Sequence, residues 1–137
     1  MKKAFSLLEV IFTIVIIAII ISVAIPKVDN NIQKANILKL KSDISSIRKG
    51  IVEYNNRAIL ANKEEFLETL DNGVFLFEKI INYSIVSSNQ PAGWEKISNI
   101  KYKAWISSED FVIFRYNQSN GSFDCNLKEK FCKDLTQ

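Results

Sequence analysis

Residues 2–26 read KKAFSLLEVIFTIVIIAIIISVAIP, and this stretch decides how the rest of the chain can fold. After the two lysines, the 21 residues 5–25 contain one charged side chain, that of Glu9. A helix of this length rises about 31 Å, which is close to the thickness of a bilayer core. Because an ionised carboxylate is costly in hydrocarbon, Glu9 is a candidate functional residue that needs a partner.

The apolar run is either a secretory signal peptide that is removed or a segment that the mature protein keeps. It is longer than the usual apolar region of a signal peptide, which has about 7–15 residues. Val23 and Ile25 also stand where a signal peptidase site needs small side chains, and Pro26 follows directly. These features favour a segment that is kept.

The run FSLLEV at residues 5–10, with the apolar residues after it and Pro26, resembles the N-terminus of type IV pilins. That family includes the pseudopilins of type II secretion and the minor pilins of DNA-uptake machines. The resemblance implies a leader of residues 1–4, cleavage by a prepilin peptidase between Ala4 and Phe5, and methylation of the new amine. Glu9 then stands fifth in the mature chain, where the family has a glutamate. The family usually has Gly before the cut, and Ala4 is the nearest substitute in size.

Cleavage before Phe5 would give Glu9 a chemical partner. A buried α-amine and a buried carboxylate in neighbouring subunits can neutralise each other. The pair would also fix the axial register of apolar helices that otherwise slide with little penalty. The alternative is that Glu9 lies near the cytoplasmic interface and reaches water. Thr13, one turn further on, is expected only to bond to its own helix.

The charges at the N-terminus predict the orientation of the chain in the membrane. Lys2 and Lys3 precede the span and favour the cytoplasmic side, so residues 27–137 are expected in the periplasm after a single inner-membrane pass. There, Cys125 and Cys132 predict a disulfide that closes a loop over residues 125–132. This loop also resembles the C-terminal disulfide loop of many pilins. Two cysteines alone are too few ligands for a metal site.

The composition argues against catalysis. The chain of 137 residues has no His and only two Cys, so a Ser-His-Asp arrangement is impossible and metal ligands are scarce. It also lacks a Gly-rich phosphate loop. The adjacent carboxylates at positions 64 and 65, and at 109 and 110, lie on segments that read as solvated. We therefore predict a protein that is not an enzyme and needs neither a cofactor nor a metal.

The segment after Pro26 predicts an amphipathic helix over residues 27–60. Apolar residues recur there mostly in steps of three and four, and Pro26 is expected to stop or kink the helix before it. From residue 27 to 60 there are seven Lys or Arg against three acids. This charge could contact anionic lipid or DNA, or form a solvated face that complements the acidic heads of neighbours. The lack of interleaved aromatic residues favours the solvated face.

The remaining sequence predicts a small head. Short helices are expected over residues 61–86, the first beginning at a capping box of Asn62 and Glu65. Trp94 is expected as a core residue, before a β-meander over residues 98–126 with strands at 100–106, 111–117 and 122–126. In the middle strand, period-two alternation places two sets of side chains on opposite faces. The outer set is Phe111, Ile113 and Arg115, and the set expected to lie on the long helix is Val112, Phe114 and Tyr116.

The predicted fold class is therefore α+β and type IV pilin-like. A long N-terminal helix, with a membrane and assembly half at residues 5–26 and an amphipathic half, packs against a small three-stranded antiparallel sheet. The head comprises residues 27–137.

The function that this architecture predicts is a structural subunit, a pilin or pseudopilin of a type IV pilus-like filament in the Gram-negative envelope. It would serve type II secretion-like protein export or DNA uptake in natural transformation. The expected partners are other copies and pilin-like subunits, the prepilin peptidase, the inner-membrane assembly platform and the membrane itself, with DNA as a further candidate. Assembly would extract the subunit into a periplasm-spanning or surface filament. The alternative is a membrane-anchored periplasmic binding domain that does not polymerise.

Overall fold

The computed structural model describes residues 6–63 and 66–137, without the side chains of residues 23–30. The predicted leader, Phe5 and the pair Glu64 and Glu65 lie outside the described residues. The chain divides into two units, Met1–Lys34 and Ala35–Gln137.

The first element, helix α1, spans Leu7–Leu60. It begins where the carbonyl of Ser6 accepts hydrogen bonds from the N–H groups of Glu9 and Val10, at 3.0 and 3.2 Å. The assigned helix continues through Pro26, so it does not stop there, and a kink at Pro26 stays a prediction. Among the described residues, no helix is both long and apolar enough to cross a membrane.

Helix α1 ends in a left-handed residue, Asn62, with φ of 55°. The N–H of Asn62 donates to the carbonyl of Ile59 at 3.0 Å, and that of Lys63 donates to Ala58 at 2.9 Å. This pair of bonds is a Schellman motif, which satisfies the last carbonyls of a helix. Asn62 was expected to begin the next helix, and that expectation is wrong because Asn62 closes the previous one.

The head contains a four-stranded antiparallel sheet in the order β1-β2-β3-β4. The α+β class is as predicted, but the sheet has four strands rather than three. The additional strand β1 carries Lys96 on its inward side, so its sequence lacks the apolar alternation that marks a half-buried strand. The bounds are Trp94–Ser98 for β1, Lys101–Trp105 for β2, Phe111–Tyr116 for β3 and Phe123–Cys125 for β4.

The core of the head lies between the sheet and the second half of α1. The strand alternation is confirmed, because Val112, Phe114 and Tyr116 are buried. Trp94 is also fully buried, as expected of a core residue. The residues of α1 that enter the same cluster recur in steps of three and four, which is the spacing of one helix face. They are Leu40, Ile44, Ile47 and Ile51.

The described residues between 66 and 86 contain no helix, so the prediction of short helices is wrong for them. Leu76 and Ile85 instead form an antiparallel bridge, and Phe77 between them has a positive φ of 61°. The carbonyl of Glu68 accepts a hydrogen bond at 2.6 Å from the side chain of Gln118, which lies 50 residues away. Tertiary contacts of this kind override the local helix preference of the segment.

Candidate assembly site

The first turns of α1 carry an apolar surface on all sides. Every large apolar side chain from Leu7 to Ile21 is exposed, with exposed fractions between 42% at Val10 and 80% at Leu7. A helix that is apolar all round is stable in water only when something covers it. This segment is therefore a candidate contact surface.

Glu9 is the only acid in the first turn of this helix, where the helix dipole favours a negative charge. Its side chain is exposed, and among the described residues it has no ion-pair partner. The hydroxyl of Thr13 donates to the carbonyl of Val10 at 2.8 Å, so the expected bond of Thr13 to its own helix is confirmed. Ala4 and Phe5 lie outside the described residues, so cleavage and the pairing with Glu9 stay predictions.

Asp43, which the sequence did not single out, joins α1 to strand β1. This buried carboxylate accepts hydrogen bonds from Trp94 Nε1 at 3.1 Å and from Lys39 Nζ at 3.0 Å. Lys39 also donates to the carbonyl of Ala92 at 2.7 Å. One of the cations on the basic helix half therefore fixes the head of its own chain. Because Trp94 lies 51 residues from Asp43, no local sequence signal predicts this pair.

Asp71 is the second buried acid of the head. Its two oxygens accept bonds from Lys96 Nζ at 2.6 Å and from the Tyr102 hydroxyl at 2.8 Å. Burial, together with the hydrogen bond and charge of Asp71, raises the pKa of Tyr102 well above its usual value. The neutral phenol therefore keeps donating to Asp71. This network anchors the irregular segment after α1 to strands β1 and β2.

The predicted disulfide between Cys125 and Cys132 is confirmed. It joins strand β4 to a short helix α2, Cys132–Thr136, which the sequence analysis did not predict. Leu135 of α2 is buried in the core of the head. The disulfide thus holds the C-terminal segment against the sheet.

Removing the disulfide should destabilise the head. For a closed loop of about eight residues, the chain-entropy model gives a loss of about 2.5 kcal/mol in the free energy of unfolding. The double variant Cys125→Ala, Cys132→Ala adds no polar group at the buried Cys132, and urea unfolding of the two proteins measures the difference. Reduced wild type should match the variant. Equal urea midpoints for oxidised and reduced wild type would contradict this expectation.

In the part of the chain that the structure describes, no group of three or more His, Cys, Asp or Glu is arranged to hold a metal ion. Comparison with known proteins finds no matching family model, no matching curated protein and no matching solved structure.

Proposed function

We propose that the chain is a structural subunit of a type IV pilus-like filament. The observation that carries the proposal is the exposed apolar surface of Leu7–Ile21, which contains Glu9 as its only charge. Burying a Leu or Ile side chain fully contributes about 1.5–3 kcal/mol, so covering these half-exposed side chains contributes roughly 10–20 kcal/mol. A free energy of this size is enough to keep the helix in lipid before assembly. It is also enough to keep the helix packed against other helices afterwards.

Glu9 supports polymerisation over simple anchoring. In lipid its charge is a cost, and a monomeric anchor gains nothing from it. In a filament the α-amine of Phe5 from a neighbouring subunit would neutralise the carboxylate and fix the register between helices. The subunit would be made as a precursor in the inner membrane, cut after Ala4, methylated on Phe5 and extracted with its head on the periplasmic side. The filament would serve type II secretion-like export or DNA uptake.

The head fits a structural role. Its sheet packs on the same helix whose first turns form the apolar surface, and the disulfide and the two buried acids hold the surrounding loops. The second candidate is an anchored periplasmic binding domain that does not polymerise. The presence of the chain in sheared filaments separates the two, and the need for Glu9 tests how the subunits pair.

Glu9→Ala should leave the protein processed and membrane-bound but should lower the filament yield at least tenfold. The reason is that removing one member of a buried charge pair leaves the other unpaired, at about 3–5 kcal/mol per contact. The measurement is an immunoblot of sheared filaments against total cell protein. Thr13→Ala is the matched control, because its hydroxyl bonds only to its own helix, and it should assemble like wild type.

Mass spectrometry of the purified protein provides a second arm of the test. The proposal expects a mature chain that begins at a methylated Phe5. An intact Met1, together with the absence of the wild-type chain from sheared filaments, would overturn the filament proposal and favour the anchored binding domain. A wild-type filament yield from Glu9→Ala would instead overturn the pairing role of Glu9.

A further inference from the structure

We propose that the outer face of the head sheet binds single-stranded nucleic acid. The binding surface is a ladder of three cross-strand pairs on strands β2 and β3, which we call the outer ladder. Its pairs are Lys101 with Arg115, Lys103 with Ile113, and Trp105 with Phe111. The residues between them on both strands, among them Tyr102 and Phe114, are buried on the opposite face. The outer ladder therefore faces away from the core.

One end of the outer ladder carries two unpaired cations. Lys101 and Arg115 stand directly opposite each other, an arrangement that is destabilising for like charges unless an anion is present. Among the described residues, neither has an acidic partner within 4.0 Å. Asp124 faces Arg115 on β4 but pairs with Arg48 at 2.6 Å instead. Both cations are therefore available to an anion from outside the head.

The other end of the outer ladder is aromatic. The ring centroids of Trp105 and Phe111 are 5.1 Å apart, and Lys103 Nζ lies 4.7 and 4.6 Å from them. Glu95 accepts a hydrogen bond from Trp105 Nε1 at 3.0 Å and contacts Lys103 Nζ at 3.4 Å. The rings are thus held in place before any ligand arrives. Phe111 keeps 41% of its surface exposed, which leaves room for a base.

The two ends fit the two parts of a nucleotide chain. Four residues along a strand span about 13 Å, so cations and rings can be reached by neighbouring nucleotides of one strand. Cations that track phosphates and aromatic rings that stack on bases are the usual means of binding single strands. In a duplex the bases are already stacked inside, so the rings would have no partner. An acidic peptide would use the cations but would not need the rings.

The cavity beside Lys101 and Arg115 measures about 610 Å³, which lies within the roughly 300–1,000 Å³ of pockets that hold small ligands. Its wall includes Ile97 and Ile113. The acids there are engaged within the head, because Asp124 pairs with Arg48 and Glu129 accepts the N–H of Ile113 at 3.3 Å. The basic half of α1 carries a single exposed aromatic residue, Tyr54, and no pair of rings, so we assign nucleic-acid contact to the sheet rather than to the helix.

This proposal rests on the proposed function in one respect, namely that the filament would bring the head into contact with nucleic acid. Binding by the head itself can be measured without assembly. The full chain in detergent is titrated against a labelled oligothymidylate of about 12 nucleotides, with fluorescence anisotropy at several salt concentrations. The double variant Lys101→Gln, Arg115→Gln should bind more weakly. It should also reduce the magnitude of the slope of log K against log salt by about 1.4, because each of the two lost phosphate contacts contributes about 0.7. The double variant Lys128→Gln, Lys133→Gln removes the same charge from exposed sites off the ladder and should keep the slope.

Phe111→Ala should weaken binding about 5- to 160-fold while leaving the salt slope unchanged, because it removes stacking and not charge. Phe111→Leu keeps an apolar side chain and should lose affinity in the same way, and circular dichroism checks that each variant is folded. Glu9→Ala should bind like wild type, so failure of assembly and failure of binding are separate results.

The proposal is overturned if the two double variants bind alike, if Phe111→Ala and Phe111→Leu both bind like wild type, or if a duplex of equal length binds more tightly. Competition by polyglutamate as effective as that by the oligonucleotide would identify an acidic polypeptide as the partner, and would also overturn it.

Discussion

Trp94→Ala should lower the free energy of unfolding of the head by about 3–5 kcal/mol, which is a large part of the roughly 5–15 kcal/mol typical of a folded domain. Trp94 is fully buried at the start of β1. Its ring centroid lies 5.5 Å from that of Phe77 and 5.6 Å from that of Phe114. Alanine would leave a cavity among these rings that the sheet and helix cannot close without moving.

The loss includes a polar component. Trp94 Nε1 donates to the buried Asp43, and alanine removes this donor from a carboxylate that has little access to water. Trp94→Phe keeps most of the volume and removes only the donor, so it should cost about 1–3 kcal/mol. Urea unfolding followed by circular dichroism measures both changes.

Trp105→Ala is the matched control, because it makes the same substitution on the outer face of the same sheet. Trp105 is only partly buried and contacts Phe111 and Lys103, so its removal should cost about 1 kcal/mol. Equal losses for the two tryptophans would contradict the position of Trp94 at the centre of the core.

Gly50→Ala should destabilise the head by about 3 kcal/mol, the upper end of the usual cost of overpacking. Gly50 is buried on α1 where the backbone of residue 80 crosses the helix. A Cβ at this position would lie 2.1 Å from the carbonyl oxygen of Ile80 and 2.9 Å from its carbonyl carbon. Since both atoms belong to the backbone, the whole segment would have to move away from the helix.

The sign of this effect makes it informative. In an exposed helix, Gly→Ala stabilises by about 1 kcal/mol because alanine is the better helix former. Ser45→Ala on the exposed side of the same helix is the control and should stabilise by a few tenths of a kcal/mol. If Gly50→Ala raised the urea midpoint as well, the close approach of Ile80 to the helix would be refuted.

The elements that the sequence predicted correctly are those whose signal is local. The long helix, strands β2 to β4 and the buried face of β3 follow from periodicity, and the structure has them within about two residues of the predicted bounds. The disulfide was predicted from the compartment that the N-terminal charges imply. Assembly through Glu9 and cleavage after Ala4 depend on other molecules, so they stay predictions.

The elements that sequence analysis missed depend on partners far along the chain. Strand β1 escaped detection because Lys96 faces inward, where only the distant Asp71 makes a lysine acceptable. The capping pattern at Asn62 was misassigned because the same residue type favours a helix start and a left-handed helix end. The outer ladder required the register of β2 against β3, which periodicity alone does not give.

The packing of α1 on the sheet also determines when the chain can fold. Ile51 of the helix shares a core with Phe123, which is synthesised 72 residues later. At about 5–20 residues per second, the apolar side of the helix waits roughly 4–14 s for its partner. During that interval the nascent head has no native core and is open to aggregation and proteolysis. A factor that shields residues 40–51 while the chain is being made should therefore raise the yield of folded head, whereas one that acts only after release should not.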